Sequence, residues 1–83
     1  MKVLYFAWIR ERTGRAEEEL DPPARVRTVA ELLDWLKGRG EEFDHAFGNP
    51  DIIRVAIDRT HVRHDAPIAG AREIAFFPPM TGG

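Results

Sequence analysis

One segment of the chain carries an apolar stripe at helical spacing, and this stripe limits the folds open to the rest. Its members recur at i, i+3, i+4 and i+7, which is typical of a helix buried along one side. Thr28 and Glu31 have the S/T-x-x-E spacing of a capping box, and the helix is predicted to end near Gly38 or Gly40. The stripe consists of Val29, Leu32, Leu33 and Leu36.

The other apolar residues fall in short alternating runs, which are typical of strands. Glycine, proline and aspartate separate these runs and predict turns between them. The connection from Glu41 to Asp51 leaves room for a short helix around Phe43 and Phe47. The predicted strands run from Lys2 to Arg10, from Ala16 to Leu20, from Ile53 to Ile57, from His61 to Arg63 and from Glu73 to Phe77.

The order of these elements predicts an α+β domain over residues 1–77, with a mixed sheet and one main helix packed on one face. The chain has 83 residues, which is enough for one domain with a thin core. We therefore expect the helix stripe to pack against one face of the sheet. The sheet residues expected to meet the helix are Val3, Tyr5, Val55, Ile57, Ile74 and Phe76.

The opposite face of the predicted sheet is apolar as well, and a monomer rarely leaves such a patch in water. Two arrangements would cover it. The segment from Glu41 to Asp51 could fold over the face, or a partner protein could dock there, and we favour the partner. The residues predicted on this face are Leu4, Phe6, Trp8, Ala56 and Phe77.

Composition argues against several classes of function. The net charge is −2 and the charges are mixed along the chain, so no basic face for nucleic acid is expected. No apolar run approaches the ~20 residues that span a bilayer, and we expect a cytoplasmic protein without membrane contact. The chain has no cysteine, and we interpret His61, His64 and Asp65 as solvated residues, with no metal site.

Residues 78–83 are predicted to form a flexible tail that leaves the last strand. Pro78 and Pro79 stiffen the root of this tail and cannot donate to a sheet ladder. Six residues reach at most ~20 Å from the domain. The tail is therefore long enough to enter a neighbouring protein.

The end of the tail has the properties of a chemical handle. Met80 and Thr81 are uncharged, so the terminal carboxylate is the only charge, and a thin thread of this kind enters a pocket at low desolvation cost. Gly82 and Gly83 lack a Cβ, which lets the backbone pass a narrow channel. A glycyl carboxylate is also the least hindered acyl group that a chain offers.

The segment from Glu73 to Gly83, together with Val3-Leu4-Tyr5-Phe6-Ala7 and Arg10-Glu11, resembles the small subunits of molybdopterin synthase, a family of ubiquitin-like sulfur carriers. The resemblance covers the whole chain and implies a β-grasp fold. It implies that a ubiquitin-activating-like adenylyltransferase uses ATP to form a 1-glycyl adenylate at Gly83. The adenylate is then converted into a thiocarboxylate, and the small subunit itself binds no cofactor.

The resemblance also implies a partner, the large subunit of molybdopterin synthase. That subunit receives the tail and sulfurates cyclic pyranopterin monophosphate to give the dithiolene of molybdopterin, so the small subunit is a sulfur donor and not a catalyst alone. The usual assembly has two small and two large subunits. The implied partner-binding residues are Phe6, His61, Phe77, Pro78, Pro79, Met80 and Thr81.

Two alternatives remain open beside this interpretation. One is a sulfur carrier for another pathway, such as thiazole or an amino acid, although those relatives tend to be shorter and to lack the Phe-Phe-Pro-Pro tail. The other is a ubiquitin-like protein modifier, because a modifier would share the adenylation step.

Two departures from the family pattern affect surface charge: Ala69-Gly70-Ala71-Arg72 replaces an acidic turn, and Asp58-Arg59 replaces Asn-Gln.

Overall fold

The computed structural model describes residues 1–79, and within them one sheet carries helices on one side. The strands are β1 (Lys2–Tyr5), β2 (Glu17–Glu19), β3 (Arg54–Ile57), β4 (Thr60–Val62) and β5 (Glu73–Phe77). The helices are α1 (Ala7–Thr13), α2 (Val29–Lys37) and α3 (Glu41–Phe47), and a 3-10 turn covers Pro50–Ile52.

The sheet is mixed, as predicted. The described strands lie in the order β2-β1-β5-β3-β4. β1 runs parallel to β5, and the remaining neighbours are antiparallel. The last strand therefore occupies the centre of the sheet, between the first strand and β3. No helix in residues 1–79 has the length and apolar character needed to cross a bilayer.

The predicted helix stripe forms α2, and all four stripe residues are buried. The Thr28 hydroxyl accepts the Glu31 amide at 3.2 Å, whereas the Glu31 carboxylate accepts the Arg27 amide and not that of Thr28. The capping box is thus present with one partner shifted by a residue. Carbonyls from a distant segment accept the next two amides, since Val29 donates to Ala66 and Ala30 donates to His64.

The core lies between α2 and the sheet face that was expected to meet it. Aromatic rings fill its centre: the Phe47 ring centroid is 6.1 Å from that of Tyr5 and 5.4 Å from that of Phe76. Ile57 is half-buried at the margin. The fully buried sheet residues are Val3, Tyr5, Val55, Ile74 and Phe76.

The predicted first strand is wrong in its second half, because β1 ends at Tyr5 and α1 follows. The turn occurs at Ala7, whose φ of 53° is left-handed and costs a non-glycine residue roughly 1–2 kcal/mol. Helical spacing then carries Ile9 into the core, where it is fully buried. Trp8 consequently lies on α1, with the Arg12 guanidinium 4.5 Å from its ring centroid, and not on the outer face of the sheet.

The short helix predicted around Phe43 and Phe47 is present as α3. Both phenylalanines are buried in the core beside Tyr5, on the same side of the sheet as α2. The arrangement in which the segment from Glu41 to Asp51 folds over the other face is therefore wrong. Burial of the Phe43 and Phe47 side chains in the core contributes about 1.5–3 kcal/mol each, and this gain keeps the segment on the same side of the sheet as α2.

The acidic edge strand β2 is not the fully solvated segment that its three glutamates predict. The Glu18 carboxylate accepts the Tyr5 hydroxyl at 2.6 Å and both terminal nitrogens of Arg39, at 2.7 and 3.1 Å. Burial alone would raise the pKa of Glu18, but the hydrogen bonds from Arg39 and Tyr5 and the charges of Arg39 and Arg15 hold this pKa below its ordinary value. Burial, followed by the contact with Glu18, raises the pKa of Tyr5.

The turn between β3 and β4 also fastens the start of β5. Asp58 and Arg59 have φ values of 48° and 70°, as in a two-residue type I′ hairpin. The Asp58 Oδ1 accepts the amides of Arg72 and Glu73 at 3.0 and 2.9 Å. The Asp58 amide donates to the Glu73 carbonyl at 2.9 Å, so three hydrogen bonds hold this junction.

Replacing Glu18 with Gln is expected to make the stability of the fold less dependent on pH. A lowered folded-state pKa stabilises the protein above the ordinary glutamate pKa of ~4.3, and this contribution is lost as pH falls through the lowered value. Glu18→Gln should therefore lower the free energy of unfolding by about 1–3 kcal/mol at pH 7. In urea titrations below about pH 4, the free energies of unfolding of the variant and of wild type should become more similar.

Glu17→Gln is the matched control for this experiment. Glu17 makes only an exposed pair with Lys2, with a nitrogen–oxygen distance of 3.3 Å. Its loss should change stability by less than about 1 kcal/mol at either pH. If the free energy of unfolding of Glu18→Gln differed from that of wild type by the same amount from pH 7 to pH 3, the lowered pKa of Glu18 would not contribute to stability.

Asp58→Gly should loosen the start of β5, because it removes the shared acceptor without opposing the left-handed backbone. We expect a loss of about 1–3 kcal/mol in the free energy of unfolding and faster hydrogen exchange at the Arg72 and Glu73 amides. Asp58→Asn keeps the Oδ1 acceptor and tolerates positive φ, so it should exchange at nearly the wild-type rate. Equal exchange rates in the two variants would show that the carboxylate does not hold the strand.

Candidate docking face and the root of the tail

The sheet surface opposite the helices, which we call the outer face, carries an apolar patch. Strand register places Leu4 beside Ala75, Ala75 beside Ala56, and Ala56 beside His61. One row of side chains therefore crosses β1, β5, β3 and β4. Phe77 lies on the same face, two residues beyond Ala75 on β5. The apolar patch on the outer face consists of Leu4, Phe6, Ala56, His61, Ala75 and Phe77.

These residues are separate from the core. Leu4, Ala75 and Phe77 are half-buried, and none of the three belongs to the buried core cluster. Phe6 is 46% exposed, although its amide is fixed by donation to the Phe76 carbonyl at 3.1 Å. A large aromatic side chain on a fixed backbone is thus presented to solvent at the edge of the face.

His61 and Phe77, both expected from the sequence to bind a partner, lie together. Their ring centroids are 5.2 Å apart and the ring planes are inclined at 55°. His61 is exposed, as predicted. His64 differs from the prediction, because it is half-buried and its Nε2 lies 2.8 Å from the Ile53 carbonyl oxygen.

The remaining sequence predictions for this face are met only in part. Leu4, Phe6, Ala56 and Phe77 lie on the face or at its edge, whereas Trp8 lies on α1. The basic border of the face was missed. Arg54, which pairs with Phe77, is exposed, and strand alternation from Ala56 would have placed it here.

In residues 1–79, no three histidine, aspartate or glutamate side chains are placed to hold a metal ion together.

The root of the tail is held firmly by the centre of the sheet. Phe76 is fully buried and pairs with Tyr5 on one side and Val55 on the other. Phe77 is the last residue of β5, and Pro78 and Pro79 follow it half-buried. Because neither proline has an amide hydrogen, the ladder ends there.

The end of the tail was predicted to carry the chemistry, and it lies outside the described residues. Met80, Thr81, Gly82 and Gly83 follow Pro79 in the sequence. Their predicted roles, and the predicted flexibility of the tail, stay predictions. The described part shows where this segment starts: at the central strand, beside the outer face.

The sequence and the fold both match known proteins over almost the whole chain. The Escherichia coli (strain K12) molybdopterin synthase sulfur carrier subunit is 34% identical over 83 residues, covering 100% of this chain and 99% of that protein. A molybdopterin converting factor subunit 1 described as putative, from Pyrococcus furiosus, superposes with a TM-score of 0.73 at 29% identity, covering 94% of both chains. The H. volcanii small archaeal modifier protein 1 superposes with a TM-score of 0.74 at 27% identity, covering 95% of both chains.

These matches agree with the β-grasp, ubiquitin-like fold that the sequence resemblance implied. The sequence profile of the ThiS family covers residues 3–83, which includes the tail and, apart from Lys2 at the start of β1, every strand and helix described above. The chain belongs to the ThiS family.

Proposed function

We propose that this chain is the sulfur carrier subunit of molybdopterin synthase and carries sulfur as a thiocarboxylate on Gly83. One observation supports this most strongly. The central strand β5 leaves the sheet beside an exposed apolar face and continues into a proline-stiffened segment that leads to Gly82-Gly83. This arrangement supplies both a docking surface and a reactive end that extends from it.

The proposed chemistry begins with activation of the terminal carboxylate. A carboxylate oxygen of Gly83 attacks the α-phosphorus of ATP on a ubiquitin-activating-like adenylyltransferase, and pyrophosphate leaves. Sulfur at the oxidation level of sulfide (HS⁻) then attacks the acyl carbon of the glycyl adenylate, AMP leaves and a proton is lost. The product is a thiocarboxylate. The chain has no cysteine, so no thiol of its own competes for the activated acyl group.

The second stage takes place on the large subunit of molybdopterin synthase. The tail enters that subunit, where the thiocarboxylate sulfur bonds to a carbon of cyclic pyranopterin monophosphate, and water cleaves the acyl–sulfur bond to return the Gly83 carboxylate. Two such transfers supply the two sulfur atoms of the dithiolene. An uncharged segment ending in two glycines can follow a narrow channel, and six residues span at most ~20 Å. The carrier therefore supplies sulfur while the large subunit supplies the substrate pocket.

The outer face is proposed to dock on the large subunit, and two carriers and two large subunits complete the assembly. The exposed Phe6 and His61 and the half-buried Phe77 form the aromatic part of this face. Pro78, Pro79, Met80 and Thr81 would continue the contact into the channel. Nothing in this role requires nucleic acid, a membrane or a cofactor bound by the carrier, and we place the reaction in the cytoplasm.

A second candidate function is that of a protein modifier. The structural similarity to small archaeal modifier protein 1 favours it. A modifier would use the same adenylate, but a lysine amine of a target protein would attack the acyl carbon and form an isopeptide bond. Covalent adducts on other proteins would distinguish this outcome from a stable terminal thiocarboxylate.

Adding one residue after Gly83 should abolish sulfur loading while leaving the fold intact, because the reactive acyl group is moved out of register. The measurement is intact-protein mass after incubation with the activating enzyme, ATP and a sulfur donor. The wild-type chain should gain the mass difference between sulfur and oxygen, and the extended chain should not.

The control for this experiment is the extended chain after enzymatic removal of the added residue, which should regain loading. Circular dichroism should show the same fold for all three proteins. If the unprocessed extended chain supported full dithiolene formation with the large subunit, the carrier role would be refuted.

Phe77→Ala should weaken binding to the large subunit by about 2–4 kcal/mol, as expected for an aromatic anchor at the centre of an interface. Phe77 is outside the core cluster, so the fold should persist. Ile52→Ala is the matched control, because Ile52 is also a large apolar residue, 40% exposed, but lies on the 3-10 turn and not on the sheet. Calorimetry giving equal affinities for the two variants would remove Phe77 from the interface.

A further inference from the structure

A groove borders the outer face where β3 begins and β4 ends. Its volume is about 370 Å³, and its lining includes Arg54, Arg63, Asp51 and His64. The groove lies close to the root of the tail, because Arg54 pairs with Phe77 across β3 and β5.

The strand register places the two arginines opposite each other. Val55 and Val62 are partners across β3 and β4, and both pack against the core. Arg54 precedes Val55 and Arg63 follows Val62, so their side chains leave on the opposite side, which is the outer face. Both arginines are exposed.

The charge of the groove is not balanced within the described part of the chain. The cations that form ion pairs within 4.0 Å in residues 1–79 are the Met1 amino group, Lys2, Arg15 and Arg39. Arg54 and Arg63 are not among them. Asp51 lines the groove, but it contributes one carboxylate beside two guanidinium groups.

Two guanidinium groups beside an apolar surface suit an anion with paired oxygens, and on a docked protein that anion is a side-chain carboxylate. Guanidinium presents a planar set of donors that pairs with both oxygens of a carboxylate. A carboxylate held here would be anchored next to the start of the tail. It would therefore fix the rotation of a docked protein relative to the channel that the tail enters.

We infer that the groove between Arg54 and Arg63 is a socket for an aspartate or glutamate side chain of the large subunit. The inference rests on the proposed function, because it takes the docked partner as given. The aromatic part of the outer face supplies apolar burial, and the socket supplies orientation and selection of the partner. A large subunit without an acidic residue at the matching position would dock poorly.

The test measures binding of the whole carrier to the large subunit at low and at physiological ionic strength. Arg54→Glu and Arg63→Glu should each raise Kd by about 10-fold or more at low salt. The effect should shrink as salt is added, because added salt screens exposed charges. Arg54→Lys keeps the charge but loses the planar donor set, and its Kd should lie between those of wild type and Arg54→Glu.

Arg25→Glu is the matched control, because it makes the same change in net charge. Arg25 is exposed and belongs to the loop between β2 and α2, not to a strand of the sheet. Its Kd should stay within about 2-fold of wild type if the effect is local. Thermal melting of each variant checks that the fold is retained.

A charge-reversal scan of acidic residues on the large subunit completes the design. Replacement of one acidic residue of the large subunit with arginine should restore its affinity for the Arg54→Glu carrier and weaken its binding to the wild-type carrier. Equal Kd values for Arg54→Glu, Arg63→Glu and Arg25→Glu would overturn the socket while leaving the carrier function intact. A wild-type carrier that did not bind the large subunit at all would overturn both.

Discussion

The parallel pairing of β1 with β5 is the interaction on which the rest of the structure depends. Its register sets Tyr5 beside Phe76 and Leu4 beside Ala75. Because side chains alternate along a strand, a single pairing builds the core on one face and the apolar patch on the other. A slip of one residue would exchange the two faces. Core packing therefore also fixes where Phe77 and the tail emerge.

The two faces of the sheet have different kinds of side chain. The inner face carries large aromatic and branched residues that fill the space below three short helices. The outer face has alanines at its centre, Ala56 and Ala75, with Phe6 and Phe77 beside them. The small residues allow another protein to approach the backbone closely, and the aromatic side chains can be buried in pockets of that protein. Such a surface is suited to association more than to catalysis.

Much of this fold could be predicted from the sequence, because its main elements depend on local pattern. Helix α2 and strand β5 have strong periodicity. The first strand was predicted too long, because alternation continues through Trp8 and Ile9, and nothing local announces the left-handed turn at Ala7. Glu18 and His64 were taken as solvated because their partners, Arg39 and the Ile53 carbonyl, are distant in sequence. The role of Gly82 and Gly83 is predicted from residue types alone and lies outside the described residues, whereas the arginine groove required the register of β3 and β4.

The central place of β5 also has a consequence for how the domain assembles. Without β5, β1 and β2 form one pair and β3 and β4 form another, and no ladder hydrogen bond joins the two pairs. The strand nearest the tail thus joins two otherwise separate halves of the sheet. Contacts so remote in sequence form slowly. A chain interrupted before Glu73 would lack both the continuous five-stranded sheet and the strand that anchors the root of the tail, so the sheet and this anchor are completed in one step.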